Sequence, residues 1–147
     1  MCTFPSYPTP PMRFSIALLA LAALPFAGCD SSSNTVEPKA CSLNVSASTS
    51  STSLTYTYTV SATGTARVSG LSYRSAAPVG GSGGITTLTS VTLPWTVTAT
   101  LPAGTAPLLS VTGTVTEGTL SAKAEGRASG STIVTVNASD SCSQDAS

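Results

Sequence analysis

The sequence predicts an all-β fold, an antiparallel β-sandwich of seven or eight short strands, and three observations predict it. Ser and Thr together make up about a third of the chain, while charged residues are 8%. Thr favours strands and Ser favours turns, and a helical domain would need more Glu, Lys and Leu than this. Apolar and polar residues alternate through most of the second half of the chain, and turn residues interrupt them about every ten positions with no helical stretch between.

Each strand follows from that alternation. Leu43 and Val45 predict a short first strand beside Cys41. Residues 53–60 are the clearest case: Leu54, Tyr56, Tyr58 and Val60 share one face and threonines the other, as in a half-buried strand. A third strand is expected over 66–73, with Gly70 a bulge or change of phase. Residues 78–84, PVGGSGG, read as a hairpin loop, because no Lys-Ser or Lys-Thr pair and no helix follows to make a phosphate cradle. Residues 85–93 give a short strand, 95–101 alternate cleanly, and 102–105 turn the chain. Leu109, Val111 and Val115 mark the next strand, Leu120, Ala122 and Ala124 another, and residues 133–136 the last.

The N-terminal part reads as an export signal. Arg13 precedes an apolar run over 14–26, about 13 residues long, which is the length of a signal core and short of the roughly 20 that span a bilayer as a helix. Met12 offers a second translation start. The run ends in Phe26-Ala27-Gly28-Cys29, which resembles the bacterial lipobox: two small residues give a peptidase access, and the cysteine thiol takes a diacylglycerol carrying palmitate-type chains. Phe26 stands where Leu is usual. Residues 1–28 are thus expected to be a signal peptide and Cys29 the lipid attachment site, with plain secretion by cleavage after Ala27 or Gly28 the rival. Residues 29–40 are polar and aperiodic, as a flexible tether is. The folded domain is expected over 41–143, and 144–147 as a disordered tail.

Cys41 and Cys142 are left near the two ends of that domain. In an exported chain such a pair reads as a disulfide, the alternative being two free thiols in frayed ends.

Several functions are disfavoured by composition. The chain has no His, which removes the usual base for nucleophilic catalysis. Glu117 and Glu125 are eight residues apart and accompanied by Lys123 and Arg127, so they read as solvated surface charges rather than an acid/base pair. Two cysteines and isolated acids form no metal-ligand set. Six basic and six acidic residues, scattered, give no nucleic-acid footprint. The expectation is a non-enzymatic protein with no cofactor.

Beyond generic strands, residues 53–137 carry an order of elements with more character: 54–60, Gly64-Thr65-Ala66, Ser72-Tyr73, Leu93-Pro94-Trp95, Leu109-Ser110-Val111 and 133–136. This order resembles the extracytoplasmic domain of the mycobacterial small membrane protein (MmpS) family and of small lipoproteins of other bacteria. The resemblance implies an immunoglobulin-like sandwich outside the cytoplasm and an accessory role beside large lipid-exporting transporters. The chain differs in its lipobox, where the family has a transmembrane helix, in its glycine-rich insertion and in its terminal cysteines. Pro94 would lock a strand entry and Trp95 fill the core between sheets. The function expected is a lipid-anchored binding or transporter-accessory module of the cell envelope, facing periplasm or exterior, its partners a membrane and an envelope transporter or other envelope protein. The alternative is a structural coat lipoprotein without a specific ligand.

Overall fold

The computed structural model describes residues 36–76 and 84–145. The expected signal peptide, Cys29, most of the tether, nearly all of the glycine-rich loop and the last two residues lie outside the described residues. Those described form six strands and no helix: Lys39–Ser46 (β1), Leu54–Arg74 (β2), Ile85–Leu88 (β3), Trp95–Leu101 (β4), Leu108–Arg127 (β5) and Val134–Gln144 (β6). All pair antiparallel in one sheet.

The expected seven or eight short strands are corrected to six, because four of them are joined in pairs. The strands read over 53–60 and 66–73 are one strand of 21 residues, and those around Leu109–Val115 and Leu120–Ala124 are one strand of 20. These two pair with each other almost end to end, from Thr55 opposite Arg127 to Tyr73 opposite Leu109. The last strand, expected over 133–136, runs to Gln144, and β1 begins at Lys39, inside the stretch read as tether. At Gly64 and Gly118 these long strands bend without ending. The two glycines face each other in the ladder with φ of 74° and 88°, in the left-handed region that only glycine enters freely. A Cβ on Gly118 would run into the Thr63 carbonyl, and one on Gly64 into the Glu117 carbonyl.

Register shifts between Thr65 and Ala66 and between Val68 and Gly70 add further twist beside this bend. The second is the expected phase change at Gly70: Val68 and Leu71, three residues apart, both point into the core. Ser69, left without a partner in the ladder, donates its hydroxyl to the Thr112 carbonyl, 3.2 Å away.

Beyond the bend each long strand changes its outer neighbour. The first half of β2 pairs with β4 and the second with β3; the first half of β5 pairs with β1 and the second with β6. The sheet curls so that these two halves face each other over one core. Leu43, Val45, Leu109 and Val111 come from one half, and Leu54, Tyr56, Tyr58, Leu101 and Leu120 from the other. Tyr58 meets Tyr73 across the core, ring centroids 5.7 Å apart.

Burial has a titratable consequence. Tyr58 is fully buried, and desolvation pushes its phenol up to about 12; Tyr56 is raised for the same reason. In the unfolded chain these groups ionise near 10. The native state therefore favours the neutral phenols, and the stability this contributes is intact below about pH 10 and lost as pH rises toward 12. Of the chain's four tyrosines, two are expected to add their phenolate absorbance only as the far-ultraviolet circular dichroism of the sheet is lost. Ionisation of all four near pH 10 with the sheet signal intact would contradict the burial of Tyr56 and Tyr58.

Candidate functional site

The cysteine pair is the firmest of the expected site elements. Cys41 on β1 and Cys142 on β6 are joined as a disulfide, Cα atoms 5.9 Å apart and 101 residues apart in sequence. The pairing follows from the curl. Lys39 lies opposite Val115 and Gln144 opposite Gly118, so the start of β1 and the end of β6 meet at the bend of β5. From there the strands run side by side, and polar contacts extend the seam. The Asn44 amide donates to the Asp140 carboxylate at 2.9 Å, and the Lys39 ammonium to the Ser143 carbonyl at 2.9 Å. Asp140 also accepts from the Ser141 amide. This structural role of Asp140 was not legible, because 137–144, rich in Ser, Asn and Asp, carries the residues of a turn or tail.

The acidic residues do not converge. Glu117 is exposed at the bend, opposite Thr65. Glu125 lies opposite Thr57, 2.9 Å from Lys123 and 3.7 Å from Arg127. The hydrogen bond from Lys123 is the main cause that lowers its carboxyl below the usual range. As a half-exposed surface cluster it contributes little to stability. No group of three or more His, Cys, Asp or Glu positioned to share a metal ion occurs among the described residues.

Trp95 is placed differently from the expectation that it would fill the core. It is only partly buried, at the margin of the core, its ring 5.4 Å from that of Tyr73. The reason is the position of β4, which pairs with β2 alone and borders the open side of the sheet. Pro94 does precede the strand, as expected, and follows a cis peptide bond.

Between β3 and β4 the chain crosses the bend, with Val91 bridged to Val68. There a groove of about 920 Å³ opens, with Ala62, Ala66 and Val68 on one wall and Val91, Leu93 and Pro94 on the other. A smaller groove of about 420 Å³ on the outer face is lined by hydroxyls of Thr59, Ser61, Ser121 and Ser139 beside Lys123 and Asp140. The groove at the bend is thus lined largely by apolar side chains, and the one on the outer face by hydroxyl-bearing residues with one cation and one carboxylate. In comparisons with known proteins, no family model, no curated protein and no solved structure matches the chain.

Proposed function

We propose that the chain is a non-catalytic lipoprotein of the cell envelope, held on a membrane by acyl chains on Cys29 and acting as a binding or transporter-accessory module. The observation that carries this is the Cys41–Cys142 disulfide closing the ends of the domain, since such bridges persist in oxidising compartments outside the cytoplasm. An apolar run of signal-core length ahead of Ala27-Gly28-Cys29 supports export and lipid attachment, and several acyl chains on one terminus make attachment stable. The lack of His and the engagement of Glu125 by its neighbours support a role in contact rather than reaction.

Within this proposal the curled sheet is an immunoglobulin-like sandwich, with β4–β2–β5–β6 as one layer and β3–β2–β5–β1 as the other. The shared core between the halves supports it. It is also the fold implied by the resemblance to the MmpS family, from which the transporter-accessory role is taken. A coat role without a ligand is favoured by one observation, the hydroxyl-rich outer face, where Thr55 and Thr100, and Ser72 and Thr87, pair with each other across strands.

The test compares wild type with Cys29→Ala in the producing cell after mild crosslinking. Wild type is expected in the membrane fraction, joined to an envelope protein, and Cys29→Ala in the soluble fraction without that neighbour. Continued membrane fractionation of Cys29→Ala would overturn the anchor. Membrane attachment with no recurrent neighbour would replace the accessory role by the coat role.

A further inference from the structure

One side of the curled sheet is closed and the other is open. On the closed side β1 and β6 are held together by the disulfide and the Asn44–Asp140 and Lys39–Ser143 hydrogen bonds. On the other side β3 and β4 do not approach each other, and among the described residues only 89–94 pass between them. Apolar side chains along this margin are incompletely covered: Leu88, Val91, Leu93, Trp95 and Val97 are partly buried, and Ile85 is 50% exposed.

The free edge on that side belongs to β4, Trp-Thr-Val-Thr-Ala-Thr-Leu, whose one ladder is with β2. Half of its backbone amides and carbonyls therefore point away from every described strand. Edge strands are ordinarily blunted by charge, proline, a bulge or shortness. The described edges other than β4 follow this habit, since β3 has four residues and β1 and β6 carry Lys39, Asp140 and the disulfide. β4 has seven residues, no charge, no proline and no register shift.

We propose that the β4 edge pairs antiparallel with the β4 edge of a second copy of this chain, about a twofold axis at Thr98. The sequence is self-complementary in that arrangement. Trp95 lies opposite Leu101 of the second copy, Thr96 opposite Thr100, Val97 opposite Ala99, and Thr98 opposite Thr98. Apolar residues meet apolar residues on the inner face and Thr meets Thr on the outer face, where hydroxyl pairs such as Thr55–Thr100, 3.0 Å apart, already occur across strands. A slip of one residue would set Thr against Val and Ala and invert the faces; a slip of two would shorten the ladder. A charged partner strand finds no complement on this edge, whereas a second copy finds one at every position, and the symmetry is that of a closed dimer. The pairing rests on the binding-module proposal only for its purpose and needs no anchor, so its failure would leave the membrane result for Cys29 standing.

Cysteine crosslinking of the full chain in mild detergent tests both the pairing and its register. Opposite residues in an antiparallel ladder have Cα atoms about 4.5 to 5.5 Å apart, within disulfide reach. Thr98 is exposed and its replacement leaves the core untouched. Thr98→Cys is expected to form covalent dimers on mild oxidation. Thr96→Cys alone is not, since it would lie four residues, about 13 Å, from its own copy, but a mixture of Thr96→Cys and Thr100→Cys chains is. Thr98→Lys, which sets two ammonium groups at the axis, is expected to sediment as a monomer with unchanged circular dichroism. Equal crosslinking of Thr96→Cys and Thr98→Cys, absence of crosslinking at Thr98→Cys, or identical sedimentation of wild type and Thr98→Lys would each overturn the proposal. Capture of a different protein by Thr98→Cys in intact membranes, in place of its own copy, would also overturn it.

Discussion

Gly118→Ala is expected to destabilise the domain by about 3 to 5 kcal/mol, the range of severe backbone conflicts. Two effects add at this position. With φ at 88° an alanine is strained by its conformation alone, and its Cβ would meet the Thr63 carbonyl oxygen of the facing strand. Relief would require β2 and β5 to separate at the bend, where both halves of the sheet depend on their pairing. Gly104 supplies the control, because its φ is 78° but nothing lies within 4 Å of where a Cβ would sit. Gly104→Ala is expected to cost about 1 kcal/mol, the conformational part alone. Urea unfolding of the two variants against wild type checks this, and equal losses would show that close approach of the strands is not what Gly118 permits.

Loss of the disulfide is the second large effect. Joining residues 101 apart in sequence restricts the unfolded chain, and on the chain-entropy account a loop of this size is worth up to about 4.7 kcal/mol. Small domains are commonly stable by about 5 to 15 kcal/mol, so the bridge is a large share. The loss has a location as well as a size. β6 has no fully buried side chain along its length and is held by its ladder to β5 and by the seam to β1. In Cys41→Ser/Cys142→Ser the unfolding midpoint is expected to fall, and amide exchange to rise first in β6 and the facing part of β1. Unchanged exchange in β6 would show that the seam holds without the bridge.

Much of the strand pattern was legible because alternation is a local property. Leu54, Tyr56, Tyr58 and Val60 are all buried, as their spacing requires, and so are Leu43, Val45, Leu109, Val111, Leu120, Ala122 and Ala124. The phase change at Gly70 was legible from a glycine inside an alternating run. Gly64 and Gly118 were not read as bends, because a lone glycine does not say whether a strand ends or bends. That depends on what lies opposite, and here it is the other glycine, 54 residues away in the chain. β6 was underestimated because its Ser, Asn and Asp residues favour turns; ten ladder pairs with β5 override that preference.

The sequence by itself determined which side of each strand is apolar, that the chain is β throughout its described part, and which cysteines were available to bridge. Tertiary structure alone decided that four short strands are two long ones bent at facing glycines. It also decided that β1 and β6 close one side, and that β4, with Trp95 at its start, is left at the open one. A period of two is written in neighbouring residues, whereas curl, closure and the position of a free edge arise from pairings between segments tens of residues apart, whose partners no local pattern specifies.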